Sequence, residues 1–204
     1  MARQNLSRVA GRLTQSVLLA LVCCLVLTAV GCGGPSFKGK VRQPMSPAPD
    51  FSLTDQHGRP FQLSEQRGNV VLLYFGYTYC PDVCPTTLGD FKRLHRLLGD
   101  KAARVKFVFV TADPERDKPE RLRKYLEIFH PDFLGLVGTE AELQDVYRKY
   151  DIFVQKQEVK DSAAEYLVSH TASVTLIDPD GNWRLIYDFG MLPEDMAADI
   201  EKLL

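Results

Sequence analysis

Residues 69–98 read NVVLLYFGYTYCPDVCPTTLGDFKRLHRLL. Asn69 to Phe75 is a continuous apolar run, the composition of a strand buried on both faces of a sheet. From Pro85 the period changes. Leu88, Phe91, Leu94 and Leu98 fall on one stripe, which predicts a helix over Pro85 to Leu98. Val105 to Val110 (VKFVFV) reads as a second buried strand, so the three segments make a β-α-β unit with a right-handed crossover. Reactive groups in open α/β sheets gather beyond the carboxyl ends of the strands. Cys80 lies there, just past the first run and just before the helix.

The flanking segments extend this unit. Phe51 to Leu53 and Phe61 to Leu63 alternate around the turn-rich Asp55 to Pro60, a hairpin signal. Helices are expected over Lys118 to Phe129, with Pro119 tolerated in the first turn, and over Glu140 to Tyr150. Ser173 to Ile177 and Trp183 to Phe189 read as strands joined by Asp178-Pro-Asp-Gly-Asn182, a strong hairpin turn. Pro193 to Leu204 closes the chain as a helix. The order predicts an α/β, thioredoxin-like fold: a central mixed sheet flanked by helices, with an N-terminal hairpin extension.

The first residues read differently. Arg3, Arg8 and Arg12 precede an apolar run from Val17 to Val30, with no acidic residue. This is the charged and apolar pattern of a secretory signal, and the run is short for a bilayer span of about 20 residues. It ends in Ala29-Val30-Gly31-Cys32, which resembles a bacterial lipobox with Ala29 in place of the usual leucine. Glycines and Pro35 follow at once and would end any helix. The expected organisation is a lipoprotein signal peptide over 1–31, a lipidated tether over 32–48 starting at Cys32, and a domain over 49–204. Residues 33–48 are rich in Gly, Pro, Ser and Lys and lack periodicity, as flexible linkers do. The domain is then expected on the extracytoplasmic side of a bacterial membrane, periplasmic or outer, held there by lipid.

Removing 1–31 leaves 22 basic and 26 acidic residues, a net charge of -4 against -1 for the whole chain. A mildly acidic domain is not a nucleic-acid binder. Of five cysteines, Cys23 and Cys24 fall in the signal and Cys32 at the lipobox, so Cys80 and Cys84 remain in the domain. They stand in Cys80-Pro-Asp-Val-Cys84, a C-x-x-x-C spacing where thiol-disulfide oxidoreductases of this fold usually carry C-x-x-C. Four residues apart at a helix start, both sulfurs can point the same way and either form a disulfide or clasp one soft metal ion. Thiolates favour Cu(I), and an added imidazole suits both oxidation states of copper. A helix N-terminus favours the thiolate in either role.

A further ligand must come from elsewhere. His57 lies in a turn, and His95 in the basic stretch Lys92 to Arg96 is expected to face solvent. His130 precedes Pro131 at a helix end, where capping is the simple account. His170 stands just before the strand at Ser173, in a loop expected beside the end of the first buried strand, and is the best placed of the four.

Three blocks carry a resemblance. YFGYTYCPDVCPTTL (74–88), FVFVTADPERDKPERLRKY (107–125) and VSHTASVTLIDPDGNW (168–183) resemble the Sco/SenC family, copper proteins that assist assembly of cytochrome c oxidase. The similarity spans residues 49–204. It implies that Cys80, Cys84 and His170 are copper ligands. It further implies a metallochaperone rather than an enzyme, one that hands copper to the dinuclear centre of the copper-bearing oxidase subunit. Another copper chaperone or a thiol reductase would be further partners. Asp113 and Asp117 in ADPERD are secondary candidates: Asp113 ends the second strand and could tune the site, while Asp117 suits turn or cap chemistry. Asp82, between the cysteines, could shape the loop or modulate thiol acidity. Ala172 stands where thioredoxin-like reductases place a cis-proline, and Tyr77 where peroxidases of this fold place a threonine three residues before the reactive cysteine. Both departures weaken those readings. The rivals that stay open are a thiol-disulfide reductase keeping the oxidase cysteines reduced, and a redox or copper sensor.

Overall fold

In the computed structural model of the chain, the described residues are 36–159 and 165–204. The expected signal peptide, and Cys32 with it, lie outside them. Among the described residues, ten strands and four α-helices follow one another. The strands are β1 (Lys40–Pro47), β2 (Ser52–Asp55), β3 (Pro60–Gln62), β4 (Val70–Gly76), β5 (Val105–Thr111), β6 (Leu134–Val137), β7 (Val154–Glu158), β8 (Tyr166–His170), β9 (Val174–Ile177) and β10 (Asn182–Tyr187). The helices are α1 (Val83–Leu98), α2 (Pro119–Glu127), α3 (Glu140–Lys149) and α4 (Pro193–Glu201). Eight strands form one mixed sheet in the order β1-β10-β9-β4-β5-β6-β2-β3, and β7 pairs with β8 in a separate two-stranded sheet. β4, β5 and β6 run parallel, while β9 lies antiparallel on the other side of β4. This is the α/β, thioredoxin-like architecture expected, with the β2–β3 hairpin as the N-terminal extension.

The apolar run of β4 is explained by its place. All seven of its residues are buried. Val70, Leu72 and Tyr74 face a core shared with Leu88, Phe91 and Leu94 of α1, Leu122 of α2 and Ile200 of α4. Val71, Leu73 and Phe75 face the opposite core, with Leu143, Val146 and Tyr147 of α3. A strand covered on both faces has no side on which a polar residue is tolerated. α3 starts on a capping box: Thr139 accepts from the Glu142 backbone N–H, and the Glu142 side chain accepts from the Thr139 N–H.

Three segments depart from expectation. The tether expected over 33–48 contains β1, which pairs with β10 through a register shift between Val41 and Ser46. The Asp199 carboxylate of α4 accepts from the backbone N–H groups of Lys38 and Gly39 at 2.8–2.9 Å, which pins the strand's entry. Pro44 and Pro47 are tolerated because β1 is an edge strand with one side unpaired. Its mostly exposed residues carry no hydrophobic period, so the strand reads as a linker. β6 is only four residues long, and β7 is exposed along nearly its whole length. Neither shows an alternation that sequence could reveal. His170 is consequently the last residue of β8 rather than part of a loop. No helix among the described residues is long and apolar enough to cross a membrane.

Candidate metal centre

β4 ends at Gly76, a loop runs from Tyr77 to Asp82, and α1 begins at Val83. The helix starts two residues earlier than read from sequence, and Cys84 therefore sits in its first turn. The Cys80 N–H donates to the Tyr77 carbonyl at 3.2 Å, closing a turn that brings Cys80 back over the helix end. The Cys84 backbone N–H, one of the donors a helix N-terminus leaves free, points at the Cys80 sulfur at 3.3 Å. Gly76 makes room: a Cβ there would lie 2.8 Å from the Cys84 Sγ and 2.9 Å from the Phe109 ring.

His170 closes the group. Its Nε2 lies 3.4 Å from the Cys84 Sγ, and its Nδ1 lies 3.0 Å from the Thr171 carbonyl oxygen. A carbonyl only accepts, so Nδ1 carries the ring proton and Nε2 presents its lone pair to the thiol. This tautomer suits Nε2 ligation, with the other nitrogen held by a backbone carbonyl. The ring stands edge-on to Tyr74 and Tyr77 at centroid distances of 6.2 and 5.8 Å. The two Sγ atoms and one imidazole nitrogen all lie within 4.8 Å of one another. Two soft sulfurs and one nitrogen fit a copper ion by donor type.

The two thiols are unlike. Cys84 is fully buried and Cys80 half-buried. Cys80 is pushed down to about 4 by the hydrogen bond from the Cys84 thiol, helped by the backbone N–H groups of Cys84 and Asp82, against the opposing effect of burial. Cys84 moves up, because its proton serves the Cys80 sulfur and because it is buried. The pair therefore holds one proton at neutral pH, with the charge on Cys80. The Tyr74 hydroxyl adds a contact to the Cys84 Sγ at 3.4 Å, and burial beside that sulfur raises its own pKa.

The acidic candidates fall in three different places. Asp113 is fully buried and does not join the metal-ligating group. It accepts from Arg116 Nε at 2.5 Å and from the Tyr166 hydroxyl at 2.8 Å. Arg116 also donates to the Tyr166 carbonyl at 3.1 Å and stacks on the Tyr166 ring at 3.6 Å. Tyr166 begins β8, so this latch fastens the strand that ends in His170 to the loop after β5. Asp117 has more than a cap role. Its buried carboxylate accepts from the Thr78 N–H at 3.0 Å, the Thr78 hydroxyl at 2.6 Å and the Thr111 hydroxyl at 2.8 Å. It thereby ties the cysteine loop to the end of β5, and burial raises its pKa. Asp82 is exposed at the N-cap of α1 without a side-chain cap bond, so what it gives Cys80 comes through its backbone. Gly76, Tyr74, Arg116 and Tyr166 were not singled out from sequence. Only Gly76, a glycine directly after an apolar run, carried a local signal.

The fold and this sulfur–nitrogen group define a thioredoxin-like protein with a candidate dithiol–imidazole metal site. The family model described as SCO1/SenC matches residues 40–204, and the chain belongs to that family. Among solved structures, Bradyrhizobium japonicum ScoI with copper bound is 37% identical, with a TM-score of 0.72 over 78% of this chain and 100% of that one. Apo Sco1 from Thermus thermophilus is 39% identical, with a TM-score of 0.73 over 83% and 98%. A SCO1/SenC family lipoprotein from Bacillus anthracis is 26% identical, with a TM-score of 0.68 over 82% and 99%.

Proposed function

We propose that this protein binds copper through Cys80, Cys84 and His170 and delivers it to the dinuclear copper centre of cytochrome c oxidase during assembly. The observation that carries the reading is the tight group of two sulfurs and one nitrogen, with the His170 Nε2 lone pair already turned toward Cys84. Membership of the SCO1/SenC family and the likeness to a copper-bound ScoI support copper as the metal. Copper here is cargo. Loading displaces the one proton the pair retains, and unloading exchanges these ligands for those of the acceptor one at a time. Both steps need the reduced pair, so oxidation to a disulfide blocks binding.

Cys32 is proposed as the lipid attachment, holding the domain outside the cytoplasm. The lipobox-like AVGC and the existence of a family lipoprotein support it. Because Phe37 already packs against the core, only four residues, or five Cα-to-Cα steps, separate Cys32 from the domain. Fully extended they reach roughly 18 Å. The domain is then leashed close to the bilayer.

A second reading is favoured by one observation. A half-exposed thiolate backed by a buried thiol is also the arrangement of a thiol-disulfide reductase, with Cys80 as the attacking sulfur. Copper titration of the reduced protein separates the two. One tight equivalent per chain is expected. Absence of stoichiometric binding would transfer the function to disulfide reduction of the oxidase cysteines.

A further inference from the structure

The described residues contain a second group of metal-ligating side chains, and the function proposed above makes no use of it. His95 lies on α1, eleven residues after Cys84, about 16 Å along the helix at 1.5 Å per residue. No single ion can serve both places. His130 follows α2, and Asp132 lies two residues further on. The imidazoles of His95 and His130 stand face to face, with centroids 3.9 Å apart and planes 33° apart. His130 Nδ1 is 3.8 Å from an Asp132 carboxylate oxygen. One nitrogen of each ring and one Asp132 oxygen lie within 4.8 Å of one another.

We propose that His95, His130 and Asp132 form a second metal site, which takes a divalent late transition-metal ion of the Zn(II) or Cu(II) kind independently of the dithiol centre. Two ligands held about 2.1 Å from a tetrahedral ion stand roughly 3.4 Å apart, so the three donors, now within 4.8 Å of one another, close in when they bind it. Both rings are backed by aromatic residues, His95 by Phe107 and His130 by Phe133, which fixes their planes. An open cavity of about 720 Å³, lined by His95 and Asp132 together with Asp100, Arg59 and Lys106, reaches two of the three donors. The donor set is two nitrogens and one oxygen with no sulfur. It favours borderline divalent ions, whereas the sulfurs of Cys80 and Cys84 favour Cu(I).

The test uses the full chain carrying Cys80→Ser and Cys84→Ser, with its remaining thiols alkylated, and Zn(II) as the probe. Calorimetric titration should find one equivalent, with affinity reduced at least tenfold by His130→Gln. Asp132→Asn acts on a side chain that is 81% exposed, so it should leave the metal-free melting temperature unchanged while removing most of the rise that zinc produces. If the double serine chain binds no zinc, or if His130→Gln and Asp132→Asn bind it as the parent does, the site does not exist. Either result leaves the dithiol centre untouched.

Discussion

The two halves of the candidate centre are held in different ways. The thiol half is built on β4 and α1, in the middle of the sheet, where every β4 side chain is buried and Cys84 packs into the core. The imidazole half sits at the end of β8, in a two-stranded hairpin outside the main sheet. It is fastened by a polar latch of Asp113, Arg116 and Tyr166, and by the packing of His170 against Tyr74 and Tyr77. Hydrophobic burial fixes the sulfurs to the fold's overall stability. The latch fixes the nitrogen through a few charge-assisted bonds that can open locally. The site can therefore be damaged in two ways that stability and copper affinity tell apart.

The largest effect is expected in the thiol half. Gly76→Ala drives a methyl group into the Cys84 sulfur and the Phe109 ring. Overpacking of this kind costs about 1–3 kcal/mol. Denaturant unfolding should show that loss together with weakened copper binding. An unchanged midpoint would show that the close approach at Gly76 does not matter.

A smaller and different effect is expected from the latch. Arg116→Ala removes the guanidinium that bridges Asp113 and the Tyr166 carbonyl, leaving the Tyr166 hydroxyl bond to Asp113. It should lower copper affinity about tenfold, the scale typical of residues that orient a ligand. Hydrogen exchange should speed up in β7 and β8 while the β4 amides stay protected. Equal loss of protection in both regions would erase the distinction drawn between them.

A third effect is a pH dependence carried by the thiols. Cys80, held down to about 4, should react with iodoacetamide at pH 6, while Cys84 stays unmodified. The stability of the reduced protein follows from the same shifts. An unfolded thiol titrates near 8.5. Between about 4 and 8.5 the unfolded pair carries two protons and the folded pair one, so stability rises with pH. Above that range the unfolded pair loses both while Cys84 keeps its own, and the trend reverses. Oxidising the pair should abolish both slopes.

The same contrast explains what could be read from sequence. β4, α1, β5 and the closing hairpin announce themselves because burial on one or two faces imposes a period. The C-x-x-x-C motif is local, so both sulfurs were legible. His170 was placed beside them by chain order and family resemblance alone. The hairpin that delivers it is exposed along β7 and leaves no pattern. β1 was hidden by its prolines and its exposed edge. Asp117 looked like a helix cap, because its partner Thr78 lies 39 residues away. Likewise the pairing of His95 with His130 joins two elements 35 residues apart, and each histidine had a plain local explanation.

The central claim is that the two sulfurs and the His170 nitrogen act on one ion. The most direct measurement is copper titration of the reduced protein beside its His170→Ala variant, with disulfide-exchange rates recorded for both. The account predicts that the variant loses at least tenfold in copper affinity, loses the nitrogen signature in its Cu(II) spectrum, and keeps disulfide exchange. Copper binding as tight as in the unmodified protein would contradict it.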